Sequence, residues 1–284
     1  ENGFQHNEQG YRGTGVSLRK KPGVFRILCL GGSTTYGWGV SRPEEAYPAL
    51  LEAVVKNRLP ASVKGVEVIN GGLPYGTTAE MLTHYHFKYH YYQPDLVILE
   101  AGGNDAEAFA APFYHPDYSH WRQPLVLPQT LPTLTRKLME SRLASLFLIP
   151  MFYGLHPNRN NLQRPPSEPI AEWYDRKSPD IPAGEIALEY NLETLIDEIL
   201  KDKAKVLLVP FRPAPHNIYP KPIQQAMILN EDILKNLASK RGLPLSPFPA
   251  EIISAQNWVD DCHLNAAGEK EKALHIASYV QKLI

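Results

Sequence analysis

Short β-rich apolar runs alternate with longer stretches of helical period along this chain. "GVFRILCL" (23–30), "GVEVINGG" (65–72), "PDLVILEAGGND" (94–105) and "AKVLLVPFRP" (204–213) have the length and branching of buried strands, and "LPLSPFP" (243–249) makes a weaker fifth. Between them, "RPEEAYPALLEAVVKNRL" (42–59) places Tyr47, Leu50, Leu51, Val54 and Val55 on one helical face, with Pro43 in the first turn. "TTAEMLTHYHFKYHYY" (77–92) predicts a helix capped by Thr77 or Thr78. Three more follow: 182–202, 223–242 with a glycine at its end, and 265–284. Alternation of this kind predicts an α/β fold, a parallel sheet covered by helices on both faces. Ligands then bind beyond the carboxyl ends of the strands, where the loops 31–39, 71–77, 102–106 and 211–216 fall.

Two segments stand outside the alternation. Residues 1–23 are polar and glycine-rich and predict an arm lying over the domain. Residues 106–184 hold twelve of the 26 prolines and one clear helical patch, 131–147. That is too long for a plain connection, so a cap insertion over the active edge is expected. Its Tyr114, His115, Trp121, Arg122, Trp173 and Tyr174 are the side chains expected to meet a substrate. With no repeat and no second core, residues 1–284 read as one domain.

Composition narrows the function. The chain has 284 residues, 43% hydrophobic, enough for one sizeable core. A net charge of −1 gives no field drawing it to nucleic acid. No apolar run reaches the roughly 20 residues of a membrane span. Two cysteines, Cys29 and Cys262, make no disulfide framework, and Cys29 sits inside a strand pattern as a small core residue. The chain starts at Glu1. An extracytoplasmic location is the expectation, whether secreted, periplasmic or anchored through a removed N-terminal segment.

The first strand ends in "CLGGSTTYGWG" (29–39). A phosphate loop would need lysine where Trp38 stands, and no dinucleotide fingerprint follows the strand. The G-x-S-x-G elbow is absent too, because Thr35 replaces its last glycine. Ser33 nonetheless sits where a turn aims its hydroxyl at the sheet's active edge. A nucleophilic serine needs a base, an orienter for that base and donors for an oxyanion. "DDCHLNAAG" (260–268) offers Asp260 three residues before His263, so one turn can join them. "GGND" (102–105) offers the Asn104 amide. "NGGLPYGTT" (70–78) offers backbone N–H groups. The histidines of "HYHFKYH", His84, His86 and His90, lack the glutamate of an H-E-x-x-H site and are expected to pack or to face solvent. The "KEK" at 270–272 is expected to be a solvated helix face. Neither a metal nor a cofactor is expected.

In this order, "GGSTTYG", "NGGLPYGTT", "GGND" and "DDCHLNAAG" resemble the four blocks of the SGNH/GDSL hydrolase superfamily. The resemblance covers about 23–110 and 185–284. It implies a three-layer α/β/α sandwich around a five-stranded parallel sheet of flavodoxin-like order. It also implies Ser33 as nucleophile and, through its N–H, oxyanion donor, Asn104 as a second donor, His263 as base and Asp260 as the partner of His263. The sequence has G-G-S where the family name implies G-D-S. In block two, Tyr75 stands where the family usually has glycine after the L-P-like pair. The third donor is therefore the N–H of Gly76 or of Tyr75, with Gly76 favoured because glycine admits a close carbonyl. Three functions follow from these residues. The first is an ester hydrolase removing an O-acyl group, often acetyl, from a carbohydrate or small lipid. The second is an O-acyltransferase using the same residues. The third is a non-catalytic binder, which has no need of all four groups.

Overall fold

In the computed structural model, the described residues are 6–111, 114–118, 141, 143, 144, 147, 186–247 and 252–284. Four strands form the sheet: β1 (Val24–Gly31), β2 (Gly65–Gly72), β3 (Leu96–Ala101) and β4 (Lys205–Pro210). All pairings are parallel, in the order β2-β1-β3-β4. Gly31 lies opposite Gly72 and Glu100, and Ala101 opposite Pro210, so the carboxyl ends line up along one edge.

Among the described residues the sheet has four strands and not the expected five. Where the fifth was expected, Leu245 makes one parallel bridge to Leu208, with the Leu208 N–H donating to the Pro244 carbonyl and the Ser246 N–H to the Leu208 carbonyl. Pro244 and Pro247 flank that bridge and have no N–H to extend a ladder.

Side chains alternate between two cores. Leu28, Leu30, Val97, Leu99, Val206 and Leu208 face α3 (Thr78–Phe87), α5 (Ala187–Lys201) and α6 (Lys221–Arg241). Ile27, Cys29, Leu96, Ile98, Leu207 and Val209 face α2 (Tyr47–Lys56) and α7 (Ala266–Val280). Cys29 is a free, fully buried thiol whose pKa burial pushes up to about 12. Two short helices, α1 (Ser33–Tyr36) and α4 (Gly103–Ala110), begin just past β1 and β3.

The helix limits have local causes. Pro48 has no N–H to give, so it must lie in the first turn, and α2 starts at Tyr47. Pro43 begins a separate 3₁₀ turn, Pro43–Glu45. Thr77 caps α3 by accepting from the Ala79 N–H, in a capping box with Glu80. The segment expected to begin a cap at 106 starts instead as the buried second half of α4, where Ala106, Ala108 and Ala110 pack. Residues 119–140, with most of the helical patch predicted over 131–147, lie outside the described residues.

The N-terminal arm goes deeper than its polarity suggested. Arg12 is 1% exposed; its guanidinium donates to the Gly37 carbonyl at 2.6 Å and the Val40 carbonyl at 2.7 Å, and lies over the Tyr36 ring. It thus grips the loop that leaves α1. Arg26, buried in β1, pairs with Glu67 and donates to the carbonyls of Ser17 and Leu18, which ties down the rest of the arm.

α2 has no acidic residue in its first turn. Glu269, on α7, supplies one from across the core by accepting the Tyr47 N–H at 2.8 Å. A carboxylate there favours the positive end of the helix dipole. Burial nevertheless pushes the Glu269 carboxyl up to about 7, against the pull of Lys272 and the Tyr47 N–H. A raised acid holds its proton more tightly folded than unfolded. Its stabilisation is therefore complete at low pH and is lost as pH rises through about 7. We expect the stability of the wild type relative to Glu269→Gln to fall between pH 4.5 and 8, by up to about 3 kcal/mol. Urea unfolding of both proteins across this range measures it, and a difference independent of pH would exclude the assignment.

Candidate active site

The groups singled out in the sequence meet at the active edge. Ser33 is the first residue of α1, so its N–H has no partner inside that helix and its hydroxyl projects past β1. Ser33 Oγ lies 2.8 Å from His263 Nε2, and His263 Nδ1 lies 2.7 Å from Asp260 Oδ2. The loop bearing His263 is drawn in at Gly39, where an added Cβ would come within 2.1 Å of the Leu264 carbonyl oxygen. Only glycine allows that approach.

Asp260 is held from three sides. Burial alone would raise its pKa. The His263 ring and the N–H groups of Cys262 (2.9 Å) and His263 (2.8 Å) outweigh that, and keep the carboxyl well below the usual range. An ionised Asp260 places the ring proton on Nδ1. The Nε2 lone pair then faces the Ser33 hydroxyl and can accept its proton. Asp261 turns elsewhere: its carboxylate accepts the Ile218 N–H at 3.2 Å, and its carbonyl accepts the Ala214 N–H at 2.7 Å.

Asp260, Cys262 and His263 bring their ligand-type atoms within 4.8 Å of one another, the one such group among the described residues. The Nδ1 proton shared with Asp260 occupies the lone pair a metal would need. Burial pushes the Cys262 thiol up to about 12, so it stays neutral beside the imidazole. His86 bonds to Glu198 and the His90 ring lies against Tyr91, while Tyr85 and Tyr89 of the same run are buried in the core.

Asn104, in the first turn of α4, donates one amide N–H to the Gly76 carbonyl at 2.8 Å. Its other N–H remains for the cleft. Gly32 makes this possible, because a Cβ at position 32 would lie 2.7 Å from Asn104 Nδ2. The G-G-S departure thus leaves room for the amide.

Gly76 does not fit the donor role expected of it. Its N–H closes a turn onto the Leu73 carbonyl at 2.8 Å, and its own carbonyl is the acceptor for Asn104. Tyr75, the other alternative, lines the cleft at the third position of that turn, with φ +59°. After Pro74 this is the geometry of a type II turn, whose third position calls for glycine. A side chain held there costs about 1–2 kcal/mol.

The cleft encloses about 290 Å³. Trp38 flanks it on the His263 side, with ring centroids 6.5 Å apart. Gly103, Phe211, Tyr219 and Met227 form an apolar wall. Its titratable lining among the described residues includes Glu107, Asp260 and Asp261 but no lysine or arginine.

Tyr114 is not at this cleft. Its hydroxyl accepts the Ala187 N–H at 2.8 Å, and its ring packs on Phe109, so it seats the start of α5. His115 is exposed, with its carbonyl accepting the Tyr118 N–H. Trp121, Arg122, Trp173 and Tyr174 lie outside the described residues.

A family model of GDSL-like lipases and acylhydrolases matches residues 29–270. The chain belongs to this GDSL-like family. Membership makes it an esterase of the acylhydrolase class, acting on small-molecule or glycan esters. Solved structures with a similar fold include an acetyl xylan esterase, 15% identical over 90% of this chain and 100% of that one, with a TM-score of 0.54. A catalytic mutant of an acetylxylan esterase from Geobacillus stearothermophilus is 16% identical over 89% and 93%, with a TM-score of 0.52. An α/β hydrolase enzyme from the metagenome of Lake Arreo, Spain, is 15% identical over 92% and 96%, with a TM-score of 0.51. At such identities the likeness is one of fold. No curated protein matches the sequence.

Below this GDSL-like site lies a buried ion pair, Lys272 with Glu100, that the expectations above missed. The "KEK" run, expected to be solvated, turns Lys272 inward at 2% exposure. Lys272 Nζ pairs with Glu100 at 2.6 Å and reaches the Thr34 carbonyl at 3.3 Å, while Glu100 also accepts the Thr35 hydroxyl. Two signals pointed there. Glu100 interrupts an apolar strand, and Glu269 and Lys272 share the helical stripe of Ala273, Ile276 and Val280. Asp105 was also missed as a structural group: it is buried and accepts the Thr78 and Tyr118 hydroxyls, which binds α4 to α3.

The carboxylate geometry generates a comparison. Asp260→Asn should lower kcat by several powers of ten, through loss of the tautomer and of imidazolium stabilisation, about 10⁴ in the type case. Asp261→Asn should stay within a few-fold of wild type. Steady-state kinetics of the two variants decides, and the reverse ranking would mean that the wrong carboxylate has been paired with His263.

Proposed function

We propose that the protein is a serine ester hydrolase that removes a short O-acyl group, acetyl foremost, from a carbohydrate. The observation carrying this reading is the unbroken line of hydrogen bonds Asp260–His263–Ser33, ending at a hydroxyl that solvent can reach. Ser33 Oγ attacks the acyl carbonyl as His263 Nε2 takes the hydroxyl proton. The carbonyl oxygen becomes an oxyanion facing the Ser33 N–H and the Asn104 amide, with the Tyr75 N–H as the third donor. Collapse expels the alcohol, which takes the proton from His263. Water, deprotonated by the same imidazole, then releases the acid and regenerates Ser33.

The substrate class rests on two supports. A cleft of about 290 Å³ suits a short acyl group better than a long chain. Two of the fold neighbours are named as acetyl xylan esterases.

Acetate release from an acetylated xylo-oligosaccharide tests the proposal, followed with and without an added sugar acceptor. Wild type should release free acetate in water. Ser33→Ala should retain its melting temperature and lose turnover by 10⁴-fold or more, and Asn104→Ala should lose about 10²–10³ in kcat with little change in KM. Undiminished turnover in Ser33→Ala would overturn the mechanism. Acyl transfer to the added sugar, without free acetate, would make the protein an O-acyltransferase instead.

A further inference from the structure

We propose that Asn230 is a positioning residue for the oxyanion donor: its amide fixes the junction between β3 and α4, and so sets where the Asn104 side chain stands. This inference rests on the oxyanion role given to Asn104 above.

An amide at position 230 is out of place by pattern. Ile223, Ala226, Met227, Leu234 and Leu237 form the buried stripe of α6, and Asn230 falls in the middle of it at 1% exposure. Asparagine is a weak helix former, and a buried amide costs free energy unless it is hydrogen-bonded. Half of this amide is used: Nδ2 donates to the Gly102 carbonyl at 2.8 Å. Its Oδ1 is buried and has no donor among the described residues. A leucine would continue the stripe and bury no polar atom. What asparagine adds is the bond to Gly102.

That bond lands on the junction that carries the donor. Gly102 is the residue before α4, with φ +109°. Glycine permits the turn but does little to fix it, so neighbouring elements must hold the chain there. Phe211 and Asn230 do so, from the end of β4 and from α6. The Ala101 carbonyl accepts the Phe211 N–H at 2.9 Å, and the Phe211 ring lies against Gly103. The Gly102 carbonyl takes the Asn230 amide beside the first bond of α4, from the Ala106 N–H at 3.2 Å. Glu231, next to Asn230 on α6, pairs with Arg212, next to Phe211. α6 is thus tied to the ends of β3 and β4 together. Asn104 comes two residues after Gly102, and its side chain is bonded to the Gly76 carbonyl. The direction of its second N–H therefore follows from where α4 begins. An oxyanion donor works only within a narrow range of distances, and a displacement of about 1 Å can cost about 10² in rate.

A double-mutant cycle between positions 230 and 104 tests this, with kcat and KM measured on 4-nitrophenyl acetate and melting temperatures recorded for every variant. Asn230→Leu keeps the apolar stripe and removes the donation. It should not lower the melting temperature, yet kcat should fall about ten- to hundred-fold with KM within about three-fold of wild type. In the Asn104→Ala background the same substitution should lower kcat by less than about three-fold, because the donor it positions is already gone. Asn230→Ala, which cannot overpack, should repeat the cycle. General damage to the fold would instead lower kcat by the same factor in both backgrounds, and that result would overturn the inference. So would wild-type kcat in both Asn230 variants, or a loss confined to KM. An unchanged kcat in Asn104→Ala alone would overturn the oxyanion role itself, and the proposed mechanism with it.

Discussion

The active edge depends on one buried ion pair, Lys272 with Glu100. Both side chains are almost fully removed from water, at 2% and 5% exposure. Desolvating two charges costs several kcal/mol, which only close geometry and further hydrogen bonds can offset. Here the 2.6 Å contact is joined by the Thr34 carbonyl, the Thr35 hydroxyl and the Tyr47 ring 4.4 Å from the ammonium. The pair links β3, α7 and the two residues after Ser33. His263 lies just ahead of α7, so the same contact that steadies the nucleophile turn also steadies the element carrying the base. Arg12 adds a second grip where the chain leaves that turn. Removing one partner would leave an uncompensated charge beneath the nucleophile, the costly way to break such a pair.

Much of this edge was legible because its chemistry is local. Ser33, Asn104 and the Asp260–His263 step each sit within a few residues of a strand end or helix start, and the parallel sheet aligns those ends. What escaped is set by distant contacts or by turn chemistry. Leu245 had the pattern of a strand, but two prolines left it a single bridge. Gly76 had the freedom expected of a donor, yet the Leu73 turn uses its N–H. Tyr114 had the composition of a substrate contact, and long-range packing on α5 assigned it to structure. Lys272 sat in a charged run whose helical phase, and not its charge, decided its burial.

The departures from the family's motifs have physical consequences at the same place. Gly32 takes the position of an acid and leaves space for the Asn104 amide. Tyr75 takes the position of a glycine, keeps the turn at a cost and sets a ring at the cleft mouth. Among the described residues the lining holds carboxylates and no lysine or arginine, which disfavours anionic substrates.

The central claim is that one activated serine carries the chemistry. Its most direct measurement is the reaction of the intact protein with a fluorophosphonate, followed by whole-protein mass and peptide mapping. One adduct per chain, located on Ser33 and formed in step with the loss of esterase activity, is the predicted result. A stoichiometric adduct on another residue, or full activity in protein labelled completely at Ser33, would contradict it.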